Sequence, residues 1–167
     1  MVTNNITRLL DSRKVPYSAF ELPAEKLGAR ETARRLGVSE ALVFKTIVIL
    51  REKPGKPILA VIPGNTKADL KAIAAAVNEK KVRVPTQKEA EQLTGLQAGG
   101  ISPLALINKG FTTLLDQSAA ALEWLHVSGG QRGLNIRLPV KALVEMTHAR
   151  LAILSMPLPE GDADLED

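Results

Sequence analysis

The residues best suited to chemistry are one lysine and two glycine-rich stretches. Lys45 sits inside the apolar run Val43-Phe44-Lys45-Thr46-Ile47-Val48-Ile49-Leu50. A buried ammonium without a partner is costly. Two readings follow: the stem lies on apolar surface while the amine reaches water, or the amine points into a cleft. The two stretches are Gly99-Gly100-Ile101-Ser102-Pro103 and Ser128-Gly129-Gly130-Gln131-Arg132-Gly133. Paired glycines let a backbone approach a ligand closely or pass a tight turn; a plain internal connection would look the same. Ile101 anchors the first stretch and Pro103 stiffens it. Brought together, the three features would supply a cation, backbone N–H groups and a hydroxyl. That set suits holding an ester carbonyl and stabilising an oxyanion.

Other chemistries are poorly served. The chain has no cysteine, which removes disulfides, thiolate catalysis by the protein and cysteine metal sites. His126 and His148 are the two imidazoles, and no metal-like spacing surrounds them. Neither glycine stretch is a P-loop or a dinucleotide fingerprint. Ser102 precedes a proline and lacks the setting of a nucleophile elbow. His126 shares strand parity with Ser128 but reads first as a structural histidine. His148 follows a helix and suits its carboxyl end.

The elements that must position these residues are mixed in type. Residues 43–50 are rich in β-branched side chains and apolar on both faces, which predicts a central strand. Residues 58–62 predict its hairpin partner, after the turn Lys53-Pro54-Gly55-Lys56-Pro57. Helices are predicted over 4–14, 29–36, 66–78, 86–93 and 141–146, the last beginning with Pro139 at its first position. Leu70, Ile73, Ala74 and Val77 are expected to face inward on the third. Gly37 and Gly95 fit helix C-caps, and Thr86 with Glu89 forms a capping box. Further strands are predicted over 17–22, 82–84, 111–115, 125–128, 135–138 and 152–154. The expected fold is α+β: a mixed, largely antiparallel, curled or barrel-like sheet surrounded by helices.

A chain of 167 residues, 45% apolar, suits one domain with a full core. No run reaches the eighteen or so apolar residues of a membrane span, and the amino terminus does not read as a signal peptide. A cytoplasmic protein is expected. The net charge of +4 hides an asymmetry. Residues 159–167 hold five acids and no base, whereas the remainder carries 22 basic against 13 acidic residues. A domain over 1–156 with a flexible acidic tail over 157–167 is expected. The basic body suits a polyanion such as RNA, with Lys67, Lys71, Lys80 and Lys81 as one plausible face. One tryptophan, one tyrosine and three phenylalanines are too few for a stacking platform. Backbone charge and a pocket for one end should then dominate. The sequence carries no signal of oligomeric state.

Val43-Phe44-Lys45-Thr46, Gly99-Gly100-Ile101-Ser102-Pro103 and Ser128-Gly129-Gly130-Gln131-Arg132-Gly133-Leu134 together resemble the YbaK/prolyl-tRNA-synthetase-associated editing domain, in the same order and at similar separations. The resemblance runs from the first helix to about Leu154. It implies a free-standing aminoacyl-tRNA deacylase that needs no cofactor and no metal. The expected substrate is tRNA(Pro) mischarged with cysteine, or alternatively with alanine, bound by its acceptor end. Prolyl-tRNA synthetase is a possible partner, and a non-catalytic tRNA-binding protein is a further alternative. By resemblance, Lys45, Gly100 and Ser128 would be catalytic. Phe20, Thr46, Gly99, Ile101, Ser102, Pro103, Gly129, Gly130, Arg132 and Asn135 would bind substrate. The parity of Thr46, opposite to that of Lys45, suggests support rather than contact. Two residues depart from the pattern: Phe20 stands where cysteine-type relatives use tyrosine, and Asn135 where many relatives carry an acid. Both leave open which amino acid is removed.

Overall fold

The lysine-bearing run forms β2 (Phe44–Arg51), paired antiparallel with β3 (Ile58–Pro63) as its hairpin partner. The structure is a computed structural model, described over residues 2–159. All six residues of β3 are buried, which explains why the run shows no polar face. On the far side of β3 lie β6 (Thr112–Asp116) and then β9 (Arg150–Ala152), both parallel. The short β5 (Val82–Arg83) flanks β2, so the mixed sheet runs β5-β2-β3-β6-β9.

A second, antiparallel sheet contains β1 (Ser18–Glu21), β7 (Trp124–Ser128) and β8 (Leu134–Pro139), in the order β1-β8-β7. A third pairing joins β4 (Thr66–Ala68) to β10 (Ser155–Pro157). The sheets match the curled, mixed arrangement expected, without closing into one barrel. Around them stand α1 (Asn5–Ser12), α2 (Ala29–Leu36), α3 (Leu70–Ala76), α4 (Gln87–Thr94) and α5 (Val140–Thr147). One apolar core unites Ile6 and Leu10 of α1 with Phe44, Leu125, Ile136 and Leu143. Another buries Ile47, Ile49, Ile58 and Ile62 against Ile73 of α3.

Several expectations about elements need correction. The helix expected over 66–78 begins at Leu70, because β10 claims residues 66–68 as a strand. Asp69 caps it, its carboxylate accepting from the Ala72 N–H at 3.1 Å. Leu70, expected inward, is 36% exposed. Pro139 is the N-cap of α5 rather than its first residue. Of the last strand expected at 152–154, only Ala152 is in a strand, the end of β9, and β10 begins beyond it at Ser155. Backbone pairing continues beyond residue 156, since the Leu158 N–H donates to the Asn65 carbonyl at 3.1 Å. The acidic residues 160–167 lie outside the described part of the chain.

One contact between the two larger sheets bears on function. Val43 and His126 form a parallel bridge. Two residues further along each chain stand Lys45 and Ser128. The period of two keeps them on the same faces as the bridging pair, so a gap between the diverging strands is flanked by these two residues.

Candidate active site

That gap is a cavity of about 60 Å³. Its wall is drawn from four separate stretches of chain. Leu22, Glu25, Leu27, Ala29 and Thr32 come from the segment entering α2; Val43, Phe44, Lys45 and Thr46 come from the start of β2. Gly99 and Ile101 come from the first glycine stretch, and Ser128, Gly133, Leu134 and Asn135 from the second and β8. The three features singled out by sequence therefore converge. Lys45 is only 3% exposed, so its ammonium is not held in open water. Thr46 also lines the cavity, despite its opposite parity. A neighbouring hollow of about 120 Å³ shares Thr46 and Ile101.

Direct bonds hold the two glycine stretches together. Arg132 donates from Nε to the Ala98 carbonyl at 2.6 Å. The Ser128 hydroxyl accepts from the Gly130 N–H at 3.3 Å and lies 3.5 Å from the Gly99 carbonyl. Asn4, the N-cap of α1, donates to the Gly129 carbonyl at 2.9 Å. Gly99 lies in the left-handed region at φ +88°, which its lack of a side chain permits. A Cβ at Gly100 would lie 2.9 Å from the Gln131 Cα. Gly100 is thus a glycine because the other loop crosses against it.

Gly100, Ser102, Pro103, Gly129, Gly130 and Arg132 do not line this cavity, and Gly129 and Gly130 line a separate hollow with Asn4 and Ile6. Ser102 is fully buried, and its hydroxyl accepts from the Leu104 N–H at 3.2 Å, capping a 3-10 turn (Pro103–Lys109). Phe20 also stands off the wall, facing His126 with ring centroids 5.7 Å apart. Phe20 lies directly across from Asn135 in the β1–β8 pairing. His126 Nδ1 is 2.8 Å from Asn135 Oδ1. Burial pushes the His126 imidazole below its usual pKa; the Asn135 contact opposes that shift and the Arg137 charge adds to it.

Sequence reasoning missed Glu25 and Thr32 on the wall. Thr32, a polar residue on the inner face of a short helix, was the one available sign. Among the described residues, no three His, Cys, Asp or Glu side chains gather as a metal centre would require. No helix there is long and apolar enough to cross a membrane.

The model of the aminoacyl-tRNA editing domain matches residues 24–146, which contain almost the whole cavity wall. The chain belongs to this family. An Enterococcus faecalis protein, provisionally named Cys-tRNA(Pro)/Cys-tRNA(Cys) deacylase EbsC, is 37% identical over 150 residues, 89% of this chain and 90% of its own. A proline–tRNA ligase of Thermodesulfovibrio yellowstonii is 28% identical over 95 residues, 57% of this chain and 16% of the ligase. A crystal structure described provisionally as a trans-editing enzyme for prolyl-tRNA synthetase aligns with TM-score 0.75 and 25% identity. That alignment covers 93% of this chain and 99% of the other. An editing-domain family member therefore carries Lys45, Thr46, Gly99, Ser128 and Asn135 around one cavity.

Proposed function

We propose that this protein hydrolyses the ester of mischarged tRNA(Pro), with Cys-tRNA(Pro) as the favoured substrate. The observation that carries the reading is the buried lysine set between two glycine loops in a narrow cavity. The Lys45 ammonium holds the terminal adenosine or its phosphate, keeping the ester within reach. The Gly99 backbone shapes the aminoacyl pocket, and Ser128 with its loop orients the aminoacyl end. Much of the rate enhancement then comes from positioning. With cysteine, the substrate's own thiol attacks the carbonyl carbon. The carbon–oxygen bond to the ribose breaks, the ribose oxygen takes the proton, and water later opens the cyclic thioester. With alanine, water attacks directly and yields the free amino acid and the ribose hydroxyl. The likeness to part of a proline–tRNA ligase supports a place beside that synthetase in the cytoplasm.

The test uses separately prepared Cys-tRNA(Pro) and Ala-tRNA(Pro), with wild type and Lys45→Ala in parallel. Wild type should release cysteine faster than alanine. Lys45→Ala should lose about 10²–10³ of the rate if it removes a principal charge-stabilising contact. Faster release of alanine would move the substrate assignment to that amino acid. No accelerated release from either tRNA would sink the hydrolase reading and leave a tRNA-binding module.

A further inference from the structure

Asn135 is held by a residue that its sequence context marks only as structural. Both His126 and Asn135 are buried, at 4% and 5% exposure, and their contact is 2.8 Å long. A carboxamide oxygen only accepts, so the shared proton belongs to His126 Nδ1. With Oδ1 turned to His126, the two N–H groups of Nδ2 face the other way. Asn135 lies on the cavity wall. Its Nδ2 is not among the described buried side-chain atoms sealed off without a partner. The amide N–H groups therefore open toward the cavity, as donors awaiting an acceptor.

The histidine is fixed in turn. It sits in β7 opposite Arg137 of β8, bridges to Val43, and meets the Phe20 ring at a 39° tilt. A phenylalanine at 20 brings no hydroxyl to compete for the amide.

We propose that His126 is a positioning residue that presents Asn135 as a fixed hydrogen-bond donor to the carbonyl oxygen of the bound ester. The inference rests on the deacylase reading and deepens it. The carbonyl oxygen gains negative charge when the nucleophile adds, so a donor aimed at it favours the transition state. A carboxylate at 135 would do the reverse: it would accept, repel that charge and attract the substrate's ammonium.

Steady-state deacylation of the faster-cleaved of the two charged tRNAs tests this. Asn135→Asp should lower kcat by about 10²–10³. His126→Leu should lower kcat by roughly tenfold or more at similar KM, since a misplaced group alone can cost that much. His126→Asn, whose amide nitrogen falls near the Nδ1 position, should recover most of that kcat. Asn135→Asp equal to or faster than wild type would overturn the proposal. So would His126→Leu matching His126→Asn, with melting curves showing both folded. If the leucine variant does not fold, nitrogen NMR of the wild-type ring decides. A neutral ring protonated on Nδ1 is expected, and a bare Nδ1 overturns the arrangement. A wild-type protein inactive on every charged tRNA would instead defeat the deacylase reading, while the NMR result still judges the His126–Asn135 pair.

Discussion

At the scale of residues, Gly100 shows how a site can depend on the close approach of two loops. A methyl at this position would press on Gln131 backbone atoms at 2.9 and 3.1 Å and on the Arg132 nitrogen at 3.2 Å. Backbone cannot swing aside as a side-chain tip can. Gly100→Ala should therefore destabilise by roughly 1–3 kcal/mol, the usual range for overpacking, read as a lower denaturant midpoint. Deacylation should fall with it, because the displaced loop carries Ser128. Retention of both midpoint and rate would show that the two loops can separate without harm. The glycine pair was legible as a close approach, but not what approaches it. The approaching group is the second glycine stretch, some thirty positions later in the chain.

At the scale of elements, Asp116 closes the end of β6 onto its surroundings. One carboxylate oxygen accepts from the Leu154 N–H at 3.1 Å and the Ser155 hydroxyl at 3.0 Å. The other accepts from the Ser118 N–H at 3.2 Å and hydroxyl at 2.6 Å. Asp116→Ala should cost at least about 1–3 kcal/mol, because buried donors lose their acceptor, and a thermal melt would measure it. An unchanged melting temperature would mean that water replaces all four bonds. Local rules served well where the cause is local. The capping box at Thr86 and the left-handed Gly37 and Gly95 mark helix ends as expected. They failed at residues 66–68, whose strand character comes from Ser155, Met156 and Pro157 across the fold. The same limit applies to the cavity. Lys45 and Ser128 were recognisable as residue types, but the Val43–His126 bridge that sets them side by side leaves no mark in either local sequence.

At the scale of the whole molecule, charge should govern the encounter with tRNA. Lys67, Lys71, Lys80 and Lys81 are all exposed, and the chain outside its last nine residues carries 22 basic against 13 acidic groups. Binding that neutralises about four phosphates should weaken by roughly 10²-fold between 50 and 200 mM salt. Filter binding across that range would check it, and a flat response would remove the basic face from the account.

The cavity wall is supplied by segments spread from Leu22 to Asn135. A ribosome that stalls before the last of these emerges would hold a nascent chain with the lysine in place but one side of the enclosure missing. No proteolytic fragment ending short of β8 can reconstitute it either. The enclosure can thus be complete only after β8 has left the exit tunnel.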